Sequence, residues 1–200
     1  MADFNQIAGF YDFFKGLVFG KQIDKSSSCF VDHIPANARI LIIGGGTGKI
    51  LKEFKPSHSI TFIELSEAMI QKAKRVKTKA SIDFENIDVL KWMPINEFDY
   101  IITPFILDCF TEDKLNLLFL RLKKSLNKGG GWIHTDFYPK NNLHKAFIKL
   151  MYVFFNITAN LKVNELANFD LLFEKHQFLL KRKALFYHSM IESKIYQKID

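Results

Sequence analysis

Three consecutive glycines interrupt an apolar run in ILIIGGGTGKIL (residues 40–51), and a fourth, Gly48, follows Thr47. Glycines at the end of a strand permit positive φ and let a ligand reach the backbone without meeting a Cβ. A helix expected to begin near Thr47 would offer free N–H groups to an anion. Spacing separates the ligand classes. A Walker-type phosphate loop needs four residues between its first glycine and the Gly-Lys pair, then Ser or Thr. Here three residues separate Gly44 from Gly48, and Ile50 stands where the hydroxyl belongs. A dinucleotide fingerprint needs one more residue after Gly46, so NAD is the weaker fit. The pattern Gly44-Gly45-Gly46-Thr47-Gly48 is GxGxG, and Glu64 follows sixteen positions after Gly48, where the next apolar run ends.

Acid–base chemistry could come from TPFILDCF (103–110) and WIHTDFYP (132–139). Asp108 or Asp136 could position or deprotonate a substrate, and His134 has the ordinary pKa best suited to a base. On a strand His134 and Asp136 share one face. The competing reading for each is a strand-end hydrogen-bonding group, so the catalytic residue stays unknown. No Ser/His/Asp or Cys/His constellation is present. Cys29 and Cys109 show neither CxxC nor metal-like spacing. They read as reduced, structural thiols in a cytoplasmic protein.

Composition narrows the class. The 200 residues are 48% hydrophobic and 24% charged, enough for one well-cored domain and short for two. The formal net charge of +7 raises an acidic partner such as nucleic acid. The lysines are scattered, however, and solvated helix faces explain most of them. No apolar stretch reaches the length of a membrane span, and MADFNQIAGFYDFF does not have the form of a signal peptide.

The elements that must carry these groups follow from periodicity. Two helices are expected before the first strand, over 10–19 and DKSSSCFVDHI. ARILIIG (38–44) reads as a strand buried on both faces. SITFIEL (59–65), IDFENIDV (82–89), FDYIITPF (98–105) and WIHTDFY (132–138) read as further strands. Ser66 caps SEAMIQKAKRVK, and 112–126 is an amphipathic helix ended by Lys-Gly-Gly-Gly. A long apolar helix over about 143–161 precedes FLLKRKALFYH and MIESKIYQKI, two strands joined too tightly to be parallel. The expectation is an α/β, doubly wound, mostly parallel seven-stranded sheet closed by an antiparallel hairpin. It forms one domain over 1–200: a helical lid (1–35), a core (36–138), and a cover helix with the hairpin (139–200).

IIGGGTG, FIELSEAMIQKAK, NIDVLKWMP, FDYIIT, LNKGGGWI and the terminal strand pair occur in register. In that order they resemble the class I S-adenosylmethionine-dependent methyltransferases over nearly the whole chain. FNQIAGFYDFF resembles the opening of small-molecule and quinone- or lipid-directed members. The resemblance implies S-adenosylmethionine as cofactor. Gly44, Gly45, Gly46, Thr47 and Gly48 would cradle its methionine end, and Tyr11 would lie over it. Glu64 would accept from both ribose hydroxyls, and Asp88 from the adenine amino group. Leu65 and Val89 would pack on the ring, while Thr103 and Pro104 would floor the site.

One position departs from the pattern. The family carries an acid two residues before the first glycine, where this chain has Ile42. Loss of one charge-assisted hydrogen bond costs about 1.5–3 kcal/mol, roughly tenfold to a hundredfold in affinity. The expected function is methyl transfer to a small apolar or aromatic acceptor by a monomer or homodimer. HKAFIKLMYVFFNITANL, apolar on almost every face, would be the acceptor cover. An RNA or protein methyltransferase is the alternative suggested by charge. A cofactor-binding protein without turnover is the alternative suggested by Ile42.

Overall fold

The apolar run ending at Ile43 is the second-innermost position from which the architecture grows: β1 (Arg39–Ile43) pairs with parallel neighbours on both sides. The computed structural model describes residues 20–95, 97–159, 163 and 166–199. The expected helix over 10–19 and Tyr11 lie outside the described residues. The other strands are β2 (Ser59–Glu64), β3 (Ser81–Asn86), β4 (Phe98–Pro104), β5 (Leu126–Phe137), β6 (Phe178–Phe186) and β7 (Ile191–Lys198). They form one seven-stranded sheet in the order β3-β2-β1-β4-β5-β7-β6. The first five strands run parallel, and β7 lies antiparallel between β5 and β6. This is the expected doubly wound sheet with its closing hairpin.

Among the described residues the helices are α1 (Gln22–Ser28), α2 (Glu67–Lys74), α3 (Glu112–Ser125), α4 (Asn142–Ala159) and α5 (Phe169–Lys175). Strand alternation divides the core. Leu41 and Ile43 face Leu118 and Phe119 of α3, Trp132, and Phe169 and Phe173 of α5. Ile40 and Ile42 face Phe30, Phe62, Ile70 and Ala73. Ser66 caps α2 as expected, its hydroxyl accepting the Met69 N–H at 3.3 Å.

Two expectations need correction. The Lys-Gly-Gly-Gly segment is not a turn before a strand; it lies within β5. Pairing with β4 jumps from Phe98↔Leu126 to Tyr100↔Gly131, so the intervening residues bulge out, with Gly129 at φ +71°. The sequence reading also has no helix at α5. Asn168 caps it by accepting the Leu171 N–H at 3.2 Å, and Phe169, Leu172 and Phe173 bury its inner face.

The strand order reverses between β1 and β4. Their following loops diverge there and open a crevice at the carboxyl ends of the strands, the place where open α/β sheets bind ligands.

Candidate cofactor and acceptor site

The chain turns immediately after β1. Gly44 and Gly46 have φ of +68° and +57°, a region open to glycine and strained for other residues. Their surroundings differ. A Cβ at Gly44 would lie 2.6 Å from Ile106 Cγ1, whereas one at Gly46 would meet nothing within 4 Å. Gly44 is therefore needed for packing against the segment after β4, and Gly46 presents bare backbone to the crevice.

The loop is held from the next strand. Glu64 Oε2 accepts the Gly46 N–H at 3.1 Å, and its Oε1 accepts the Ser66 N–H at 2.9 Å. Burial raises the Glu64 pKa, and the N–H groups of Ser66 and Gly46 oppose that rise. Each carboxylate oxygen keeps a further lone pair for a ligand hydroxyl. Behind the loop stands a 3₁₀ turn, Lys49–Glu53, in place of the α-helix expected near Thr47. The turn ends at Phe54, which is already extended, and Lys55 before Pro56 is held out of helical conformation as well. Loop N–H groups are correspondingly committed: Gly44 to Ile63 O at 2.8 Å and Gly48 to Gly45 O at 3.1 Å. An anion site built on a helix N-terminus does not form here.

Two adjoining voids share Gly44, Gly46 and Phe105. One, about 490 Å³ including its open mouth, extends from Gly45 and Thr47 to Pro104, with Asp24 and Lys49 at its edge. The other, about 390 Å³, reaches Glu64, Met69, Ile106 and Cys109. A bare-backbone loop, a strand-end carboxylate with spare acceptor capacity and an adjoining void fit an adenosyl amino-acid ligand.

Residues 40–130 match the family model described as a methyltransferase domain. Over that stretch, somewhat under half of its length, the chain is similar to a methyltransferase domain. No curated protein matches it by sequence. Among solved structures, the N-methyltransferase NodS from Bradyrhizobium japonicum, with bound S-adenosyl-L-homocysteine, is 14% identical with a TM-score of 0.66, over 90% of this chain and 85% of that one. Magnesium protoporphyrin IX methyltransferase from Synechocystis, also with bound S-adenosylhomocysteine, is 14% identical with a TM-score of 0.66, over 98% and 96%. A TehB-like methyltransferase from Corynebacterium glutamicum is 14% identical with a TM-score of 0.62, over 96% and 97%. At these identities the likeness is one of fold.

The fold does not bring all the expected cofactor residues to the crevice. Asp88 Oδ1 accepts the Leu90 N–H at 2.8 Å, closing a local turn, and Val89 is core, 1% exposed. Arg121 fixes that segment by donating from Nη1 to the carbonyls of Val89, Leu90 and Trp92 at 3.1, 2.9 and 2.9 Å. Leu65 is half-buried, its carbonyl accepting from Asn86 Nδ2 at 2.8 Å. Thr103 lies beneath the crevice, where its hydroxyl accepts from Trp132 Nε1 at 2.9 Å. Among the described residues none of these four lines either void.

The three acid–base candidates separate. His134 is core: its ring packs 4.7 Å from Phe169 and 5.4 Å from Phe173, with Nδ1 3.2 Å from Thr103 Oγ1. Burial, then the charge of Lys194, lowers its pKa to about 3. Enclosed and neutral, it is unsuited to the role of base. Asp108 sits in a 3₁₀ turn after β4, accepting from the Cys109 thiol at 3.4 Å, and burial pushes its carboxyl up to about 6. Asp136, near the end of β5, accepts the Phe137 N–H at 2.9 Å through Oδ1. Burial, then the neighbouring Asp108 charge, raises its pKa well above the usual range. The Cys109 thiol is likewise pushed up by burial and by the charges of Asp108, Asp136 and Glu64. The carboxylates of the loop side and of the β4–β5 side thus converge on one cysteine.

Sequence reasoning also passed over Asp24 and Phe105. Ile42, in place of the expected acid, is fully buried against the core. Asp24, from α1, borders the glycine-loop void and pairs with Lys49 at 3.2 Å. No local motif in QIDKSSS marks it; only the packing of α1 over the loop does. Phe105 occupies the left-handed region at φ +51°, unusual for a bulky residue, and stands between both voids.

Proposed function

We propose that this methyltransferase domain methylates a small apolar or aromatic metabolite held between the glycine loop and α4. The carrying observation is the apolar wall beside the crevice. Ile148 and Tyr152 of α4 are buried with Phe137, and Phe105 and Cys109 pack against them. When bound, the cofactor supplies a methyl group already activated by a sulfonium. The chain's task is then to align the acceptor and exclude water.

In this reading Gly44, Gly45, Gly46, Thr47 and Pro104 receive the methionine end, and Tyr11 covers it. Glu64 accepts from the ribose, Leu65, Asp88 and Val89 serve the adenine side after a shift of the 87–92 segment, and Thr103 supports the floor. Asp24 takes over the anchoring role absent at Ile42. The free thiols of Cys29 and Cys109 suit a cytoplasmic setting, and no helix among the described residues is long and apolar enough to cross a membrane.

Thermal unfolding with S-adenosylmethionine, S-adenosylhomocysteine or NAD, on the wild type and Glu64→Ala, tests the site. A ligand at a hundredfold excess over its Kd adds about 2.7 kcal/mol. Stabilisation by the adenosyl ligands alone, lost in the variant, supports the reading; stabilisation by NAD overturns it. Ile42 favours a second reading, a cofactor binder without turnover. Binding with no transfer across a broad acceptor panel would favour that one.

A further inference from the structure

Asp136 and Glu192 face each other across β5 and β7 as register partners, yet they are treated oppositely. Glu192 is paired with Lys194 at 2.8 Å and with Lys140, and Asp170 shares Lys194 at 2.5 Å. Asp136 is fully buried, its Oδ2 has no hydrogen-bond partner, and among the described residues neither it nor Asp108 joins an ion pair. The chain has 28 Lys and Arg against 21 Asp and Glu, so cations are not scarce. A second group points into the same place. Tyr152, 5% exposed, carries a hydroxyl without a hydrogen-bond partner, close enough to Asp108, Asp136 and Cys109 to feel their charges. Cys109 borders the void of Gly46 and Glu64, and the rings of Phe105 and Phe137 stand 5.2 Å apart beside it.

Burying carboxylates without a counter-charge is costly. A ligand cation removes that cost, and aromatic faces favour the same charge. We infer that the methyl acceptor is a small amine, whose ammonium group is bound by Asp108 and Asp136 with the Tyr152 hydroxyl beside it. This rests on the methyltransferase reading of the cleft. The ammonium gives one proton to the carboxylate pair, which frees the nitrogen lone pair. An N–C bond then forms to the methyl carbon while the C–S bond breaks, its electron pair passing to sulfur. The products are a methylated ammonium and a neutral thioether. An alcohol acceptor brings no counter-charge to this site, and a carboxylate acceptor is repelled by it.

Calorimetric titration of the full chain, saturated with S-adenosylhomocysteine, tests the inference with benzylamine, tyramine, benzyl alcohol and benzoate. An amine should bind at least tenfold more tightly than benzyl alcohol, and benzoate should not bind. Asp136→Asn and Asp108→Asn should each weaken amine binding at least tenfold while leaving S-adenosylhomocysteine binding and folding intact. With S-adenosylmethionine, mass spectrometry should find the N-methylated amine. Equal binding of amine and alcohol, or amine binding that persists in both variants, overturns the assignment. Failure of S-adenosylhomocysteine to bind overturns the underlying cofactor site instead, so the two failures are distinct.

Discussion

The Glu64 carboxylate holds the Gly46 backbone N–H at 3.1 Å, tying the end of β2 to the middle of the glycine loop. The same side chain organises the loop and faces the void beside it. Its loss should therefore affect binding and stability together. Glu64→Ala removes two charge-assisted hydrogen bonds, each worth about 1.5–3 kcal/mol. S-adenosylhomocysteine affinity should fall about a hundredfold and Tm should drop, as calorimetry and thermal denaturation will read. A variant with full affinity would remove Glu64 from the site.

Gly44 and Gly46 share a backbone conformation but not a role. Gly44→Ala drives a Cβ into Ile106, so it should lower stability by about 2 kcal/mol or more through strain and overpacking. Gly46→Ala meets open space and should cost only about 1–2 kcal/mol. It should nevertheless weaken cofactor binding at least tenfold, because the methyl group occupies the ligand's approach. Urea denaturation and ligand titration of both variants separate the two effects.

Asp24 and Ile42 offer a paired test of the displaced anchor. The Asp24–Lys49 pair is partly exposed, so Asp24→Asn should change stability by less than about 1 kcal/mol. It should weaken S-adenosylmethionine binding roughly tenfold. Ile42→Asp, by contrast, places an unpaired charge at a fully buried position, and should destabilise by several kcal/mol rather than improve binding.

The Asp108 carboxyl, raised to about 6 by burial, makes stability depend on pH in a definite direction. An unfolded Asp titrates near 3.9. Between about pH 4 and pH 6 the unfolded chain is ionised while the folded carboxyl keeps its proton, so stability falls as pH rises through that window. The contribution is complete below about pH 4 and lost above about pH 6. Asp108→Asn should therefore be more stable than the wild type at pH 7, by about 1–3 kcal/mol, or about 2–4 °C in Tm per kcal/mol. The difference should vanish near pH 4. A fall in Tm at pH 7 would contradict the burial of this group.

Lys194 is 1% exposed, contacts Glu192 and Asp170, and lies 3.6 Å from the centre of the Tyr138 ring. Lys194→Met should cost about 3–5 kcal/mol because it leaves Glu192 buried with less compensation. Chemical denaturation reads the loss directly.

The parts of this molecule legible in the sequence are those whose causes are local. The wholly apolar 38–44 run, the glycine spacing, the Ser66 cap and the short connection between β6 and β7 each carry their own signal. Glu64 was legible because it ends a strand next to its capping serine. The 3₁₀ turn was less so, since nothing local in Lys49–Glu53 separates it from the first turn of an α-helix. The bulge in β5 hides behind glycines that equally well make a turn. Asp24 enters the site only through packing of α1, and Asp136 parts from His134 only because Phe169 and Phe173 of α5 close over the histidine. Both residues are fully buried, so it is the kind of long-range neighbour that separates them: aromatic rings at His134 and a second carboxyl group at Asp136.

The position of β7 bears on biosynthesis. It pairs with β5 over residues 131–137 and with β6 over residues 178–186, so it is an interior strand made after both of its neighbours. Until residues 191–198 emerge from the ribosome, β5 keeps an unpaired edge and Asp170 lacks Lys194. A nascent chain arrested before that point would display an aggregation-prone sheet edge beside an apolar cluster that still lacks Ile191. Completion of the sheet is thus a late event.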